Sequence, residues 1–451
     1  MLKILRLSHR LCQVCHGSRS AVQRRLFLSE AYRCEDAWNR RLETPLLQNL
    51  DQMKIFIELE QRYNDVGKAS AVDIDIFVNS ITDNTYLNEV LKLLYNLRHS
   101  PETTNTLKST HHAVIRYLLQ HDCIEELHEV LDDRLNYGIF PDNFDSNLLM
   151  DYFIKKQDYA SAAKIATLTM LQEDATHPIT NALCVYACHK YLENPDDWKK
   201  PEEPVDTSKE EKKIRVKYLR NPFFDDHFDL TDPRDRVGKT LSFQGKHRKD
   251  ALGRTCQLRG LILYKKYEDV TKLVADWLEK MQDNIVYEEV FELISKDNSG
   301  LQDQDSEKYQ PVAAQLAALK ERPNLKDSLI QAMEDVITST VNEHVEKDIS
   351  EQHQKYLDWV SVRTSVLEEQ KQEVNREKRI TVIKKMKNEL QRREQLLTFF
   401  DKEEQIELRI EKMQERERKE QERVRAIPKS APKLRAIAAA RTKISSDVKS
   451  K

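Results

Sequence analysis

Cys12, Cys15 and His16 stand in the spacing by which haem is attached covalently, two thiols taking the vinyl groups and the imidazole the iron. The residues that follow resemble no haem-burying core, and the pattern is read as chance. Cys184, Cys188 and His189 lie in ALCVYACHKYL, an apolar helical pattern in which small thiols pack as core. No second pair at zinc-finger spacing follows. Val237–Thr240 spells VGKT, but a phosphate-cradling loop needs glycine where Pro233 stands, and an apolar strand before it. Asp225, Asp226, His227, Asp229 and Asp232 could in principle hold a hard cation, yet they lack the turn glycine and terminal glutamate of a calcium loop and read as solvated acids. No nucleophile, base and orienting group share a motif, so catalysis has no support.

Phosphate attraction is the chemistry that remains. It needs clustered Lys and Arg more than global basicity. Candidate contacts are Lys212, Lys213, Arg215, Lys217 and Arg220 in one cluster, and Arg234, Arg236, Lys239, Lys246, Arg248, Lys249 and Arg254 in a second, which Arg259 extends. A third runs from Arg376 to Arg393, where phosphate contact and salt pairing along the helix fit equally well. Phe223, Phe224 and Phe228 read as anchors onto a helical body, since aromatics dominate packing.

The elements that must position these groups are helices. Only eight glycines occur in 451 residues and none follows Gly300, which excludes turn-rich sheets and nucleotide-binding βαβ units. One third of the residues are charged, so much of the chain is solvated. The net charge of -3 conceals basic ends: residues 1–29 carry six Lys/Arg and no acid, and residues 423–451 carry nine against Asp447 alone. The middle is correspondingly acidic. Seven cysteines, an odd count, argue for a reducing compartment.

Residues 1–29 are Arg-rich, Ser-containing and acid-free, the composition of a mitochondrial transit peptide, which implies the matrix. No apolar run suggests a membrane span. Over 30–195 short amphipathic helices alternate with polar breaks, and similar segments begin at Tyr86, Cys123, Tyr159 and Tyr267 at spacings near 36 or its triple. Such a period predicts helix pairs stacked as an α-solenoid, each pair burying its stripe on the next. Residues 196–250 read as a long ordered charged loop, 251–296 as a further helical repeat and 297–325 as a linker. Residues 326–425 contain neither Pro nor Gly and predict long helices, paired as a hairpin or coiled coil, with Ile330, Met333, Ile337, Val341, Val345 and Ile349 along an early seam. Residues 426–451 read as a basic tail, disordered until it finds a partner.

Tyr137–Ala163, YGIFPDNFDSNLLMDYFIKKQDYASAA, resembles a pentatricopeptide repeat. More narrowly, YGIFPDN with NLLMDxFIKK, together with RRLFLSEAYRCEDAW, DDHFDLTDPRDRVGKTL and EQHQKYLDWV, resembles the mitochondrial ribosomal protein twenty-seven family of the small subunit. The resemblance implies an all-α, pentatricopeptide-like, non-catalytic matrix protein that contacts small-subunit rRNA and neighbouring mitoribosomal proteins, with no cofactor, metal, membrane or small-molecule substrate. Asp142 matches the acidic end position of repeats that read bases, whereas Leu148 stands where they place a small polar residue. Recognition of folded rRNA by phosphate and shape is therefore favoured over reading of a single strand. The alternatives are a free repeat protein that stabilises or processes a mitochondrial transcript, and a coiled-coil adaptor without an RNA role.

Overall fold

A computed structural model describes residues 27–48, 50–198, 225–298, 303–398 and 400–426. In these residues the chain is all-helical, without strands. In chain order the α-helices are α1 (Glu35–Asn39), α2 (Gln52–Val66), α3 (Ala71–Ser80), α4 (Leu87–Arg98), α5 (Lys108–Gln120), α6 (Ile124–Asp132), α7 (Asn143–Lys156), α8 (Tyr159–Leu171), α9 (Pro178–Tyr191), α10 (Pro233–Lys246), α11 (Ala251–Leu263), α12 (Tyr267–Lys280), α13 (Glu289–Asp297), α14 (Asp303–Lys320), α15 (Leu329–Leu397) and α16 (Glu403–Ala426). The segments that recur near every 36 residues fall on α4, α6, α8 and α12. The chain divides into two compact units, one ending at Thr364 and one beginning at Ser365.

Local signals fix the helix starts. The carboxylates of Asp142, Asp158 and Asp250 each accept the backbone N–H three residues on, at 2.9, 3.0 and 2.7 Å, satisfying donors that open α7, α8 and α11. Burial then selects the faces. Leu93, Leu94, Leu118, Leu127 and Phe153 are fully buried, and they join residues from Leu28 to Val341 in one core. A second cluster gathers Leu258, Val270, Val274, Trp277, Val290, Ile294 and Val312.

Three expected boundaries move. The charged loop expected at 196–250 contains α10. Pro233 sits in its first turn behind the Asp232 cap, and the buried face is built from Gly238, Thr240, Ser242, Gln244 and Gly245 besides Val237 and Leu241. That face carries too few large apolar groups to display helical periodicity. The linker expected at 297–325 contains α14, which carries Pro311 within it and buries Val312, Leu316 and Leu319. At the N-terminal end, Phe27 lies edge-on to Tyr186 at 5.1 Å, and Leu28 is buried with its N–H donating to Asp151. These two residues belong to the folded body, not to a segment extending to residue 29. The haem-like motif and residues 427–451 lie outside the described residues.

The α10–α11 contact shows why glycine is retained. A Cβ on Gly260 would stand 2.4 Å from both the Gly238 carbonyl oxygen and the Ser242 nitrogen. Gly260→Ala is therefore expected to lower stability by about 1–3 kcal/mol through overpacking. Urea unfolding checks this, and an unchanged midpoint would contradict so close a contact.

Candidate functional site

The first part of α15 crosses a face built by the polar sides of α3, α5 and α7 and by the residue capping α9. Its apolar residues bring it there: Leu329, Met333, Ile337 and Val341 are buried, and Val345, Ile349, Tyr356 and Trp359 pack half-buried on the main core. Successive turns of α15 then meet the caps of α9 and α7 and then α5 and α3. Asp348 accepts from His177 at 3.2 Å and from the Tyr32 hydroxyl at 3.1 Å. Lys355 donates to Asp142, the cap of α7, at 3.0 Å. Tyr356 meets His112 of α5 at 3.0 Å, and Arg363 donates to Asp75 of α3 at 2.6 Å. From Asp348 to Arg363 the helix rises about 22 Å, comparable to three neighbouring-helix steps of about 8–10 Å.

Each contact is satisfied in depth. Asp75 is fully buried and also accepts from Ser109 at 2.6 Å, Thr110 at 2.8 Å and Asn79 at 3.1 Å. His112 Nδ1 stands 2.5 Å from Asp145 and its Nε2 3.0 Å from the Tyr356 hydroxyl. Arg116 donates to the Tyr356 hydroxyl at 3.2 Å and to the Arg33 carbonyl. Burial pushes the Asp145 carboxyl up, against the pull of His112. Burial also raises the Tyr32 phenol well above its usual range, and Asp348 adds to the effect. The Trp38 ring meets the edge of His112 at 4.9 Å. These groups form a largely buried hydrogen-bond network that joins α15 to α3, α5 and α7.

Asp142 and Leu148 were singled out by the repeat pattern. Asp142 caps α7 and pairs with Lys355, and Leu148 is buried. Network members Asp75, His112 and Arg363 were not legible as such; the spacing of polar residues on α15 was the one available signal.

The candidate phosphate contacts separate sharply. Lys212, Lys213, Arg215, Lys217 and Arg220 lie outside the described residues. Arg234 donates to the Asp297 carbonyl, Arg236 stacks 5.5 Å over Trp198 and Lys239 donates to the Asp226 carbonyl at 2.7 Å. Arg248 pairs with Asp250 at 2.7 Å, while Arg254 donates to the carbonyls of Ile285, Lys249 and Asn284. Arg259 is buried in a two-pronged pair with Asp297 at 2.8 and 3.2 Å. Lys246 and Lys249 alone of the second cluster are exposed with no side-chain partner among the described residues. The sequence counts charges; it does not show which carbonyl or carboxylate each one meets.

The other chemical motifs resolve similarly. VGKT is interior to α10, away from any loop. Asp226 pairs with Lys266 at 2.7 Å, Asp232 caps α10, and no His, Cys, Asp and Glu group among the described residues could hold a metal. Phe223 and Phe224 lie outside the described residues. Phe228, expected as an anchor, is 59% exposed; His227 fastens its segment instead by donating to the Leu171 carbonyl at 3.1 Å. Cys184 and Cys188 are buried thiols, the former pushed up to about 12 by burial.

His189, buried and accepting from Arg259 at 3.0 Å, has its pKa held down to about 3 by burial and then by that guanidinium. Unfolding returns it to about 6.5, so the unfolded chain binds the extra proton between these values. Its share of stability is complete above about pH 6.5 and falls as pH drops towards 3, by about 1.4 kcal/mol per pH unit at most. His189→Gln should flatten the stability profile between pH 6.5 and 4 in urea titrations; an unaltered slope would contradict the neutral imidazole. Separately, Asp75→Ala strands a buried guanidinium and should cost about 3–5 kcal/mol. Asp75→Ala with Arg363→Met should recover much of that loss, and a double variant no more stable than the single one would contradict the pairing.

No described helix is long and apolar enough to cross a membrane. A family model described as Mitochondrial 28S ribosomal protein S27 matches residues 3–392. With that match covering well over half of its length, the chain belongs to the mitochondrial 28S ribosomal protein S27 family and is a mitochondrial small ribosomal subunit protein.

Proposed function

We propose that this protein is a non-catalytic structural component of the small mitoribosomal subunit in the mitochondrial matrix. In this reading α3 to α8, α11 and α12 act as stacked pentatricopeptide-like helix pairs, whose outer surface meets small-subunit rRNA and neighbouring ribosomal proteins and so supports mitochondrial translation. The observation that carries it is the occupation of the polar face of α3, α5 and α7 by α15. Reading a single strand requires a face on which bases can stack and bond. Here those polar side chains are spent on Asp348, Lys355, Tyr356 and Arg363. This favours a scaffold over a free transcript-binding protein.

Contact with folded rRNA then falls to exposed cations. Lys246 at the end of α10 and Lys249 in the turn after it stand on one short stretch, exposed to solvent. Arg234, Arg236, Lys239, Arg248 and Arg254 support them by holding α10, α11 and the intervening turn in place. Phosphate contacts of this kind position a protein without reading sequence.

Lys246→Glu with Lys249→Glu should weaken retention of small-subunit rRNA and reduce the slope of log affinity against log salt by about 2, one for each lost phosphate contact. Filter binding across a salt series measures it, and an unchanged slope would remove these lysines from the interface. Co-sedimentation with the small subunit at moderate salt, lost on ribonuclease treatment, is the expected behaviour of the native chain. A light, free species at that salt would contradict the assignment.

A further inference from the structure

Every residue from Lys371 to Leu397 is exposed, although this stretch of α15 is helical throughout. An isolated helix in water is marginal, and most helical stability in proteins comes from packing an amphipathic face. That face is present. Val382, Ile383, Met386, Leu390 and Leu397 follow helical spacing along one side, with exposures between 49% and 83%.

The borders of this stripe are cationic. At 3.6 residues per turn, Lys378, Lys385 and Arg392 edge it on one side and Arg376 and Lys387 on the other, with Arg379 and Arg393 along it. Glu389 and Glu394 are the acids beside it. No ion pair within the described residues involves any of the eight cations between Arg376 and Arg393. Their charge is not neutralised along the helix.

We infer that this face of α15 docks an acidic amphipathic helix of another protein. The apolar stripe requires an apolar counterpart, which phosphate oxygens do not offer, so RNA leaves it unburied. A second copy of this chain matches the stripe but sets the bordering cations against one another in either orientation, and like charges at flanking positions select against such pairing. A helix with apolar residues at a and d and glutamates at the flanking positions answers both features.

The test uses the full chain and a synthetic four-heptad helix with Leu at a and d and Glu at e and g, read by fluorescence anisotropy, beside a control with Lys at e and g. The Glu helix should bind and the Lys helix should not. Ile383→Ser, Met386→Ser and Leu390→Ser together should weaken binding at least about tenfold. The urea midpoint should be kept, since all three residues are exposed. Absence of binding, equal binding of the two helices, or full binding by the triple variant overturns the inference. So does a concentration-dependent doubling of mass that the triple variant abolishes, which marks a second copy as occupant. Loss of rRNA retention on the same apolar substitutions would mark an RNA surface and overturn it as well.

Discussion

A carboxylate and a guanidinium withdrawn from water must find each other, and Asp75 and Arg363 do so across 288 residues of chain. The pair closes only when α15 has been laid across α3, α5 and α7. Ser109, Thr110 and Asn79 take up the remaining acceptor capacity of Asp75, so the site is satisfied only in this arrangement. The same constraint recurs along the helix at Tyr356, Lys355 and Asp348. Each is matched to partners on earlier elements, so a slip of α15 by a turn would break all of them together.

What this leaves to function is the outside of the molecule. The polar side chains of the crossed helices serve internal hydrogen bonds, and the half-buried Arg234, Lys239 and Arg254 of α10 and α11 donate to backbone carbonyls of neighbouring segments. In the proposed reading, contact with a polyanion falls to cations without a side-chain partner, Lys246 and Lys249 among the described ones.

Much of the helical frame was legible in the sequence because it rests on local signals. Recurrent apolar segments marked α4, α6, α8 and α12, and the seam from Met333 to Ile349 marked α15 at its core-facing end. Helix α10 escaped because Thr240, Ser242, Gln244 and two glycines line its buried face, where close approach replaces hydrophobic bulk. Helix α14 escaped because Pro311 and a charged start resemble a linker. The site was less legible than the fold. Clustered arginines look alike in a sequence whether they meet solvent or, like Arg254, three carbonyl oxygens supplied by distant turns. The Asp75–Arg363 pair depends on two residues that no local window contains.

Hydrogen–deuterium exchange along α15 in the full-length chain tests the central claim most directly, because exchange reports local opening. The account requires a step within one continuous helix: residues 329–363 protected to the level of α5 and α7, and residues 371–397 exchanging much faster. Uniform, rapid exchange along the whole of α15 would mean that the helix does not fill the face of α3, α5 and α7, and the account would fail.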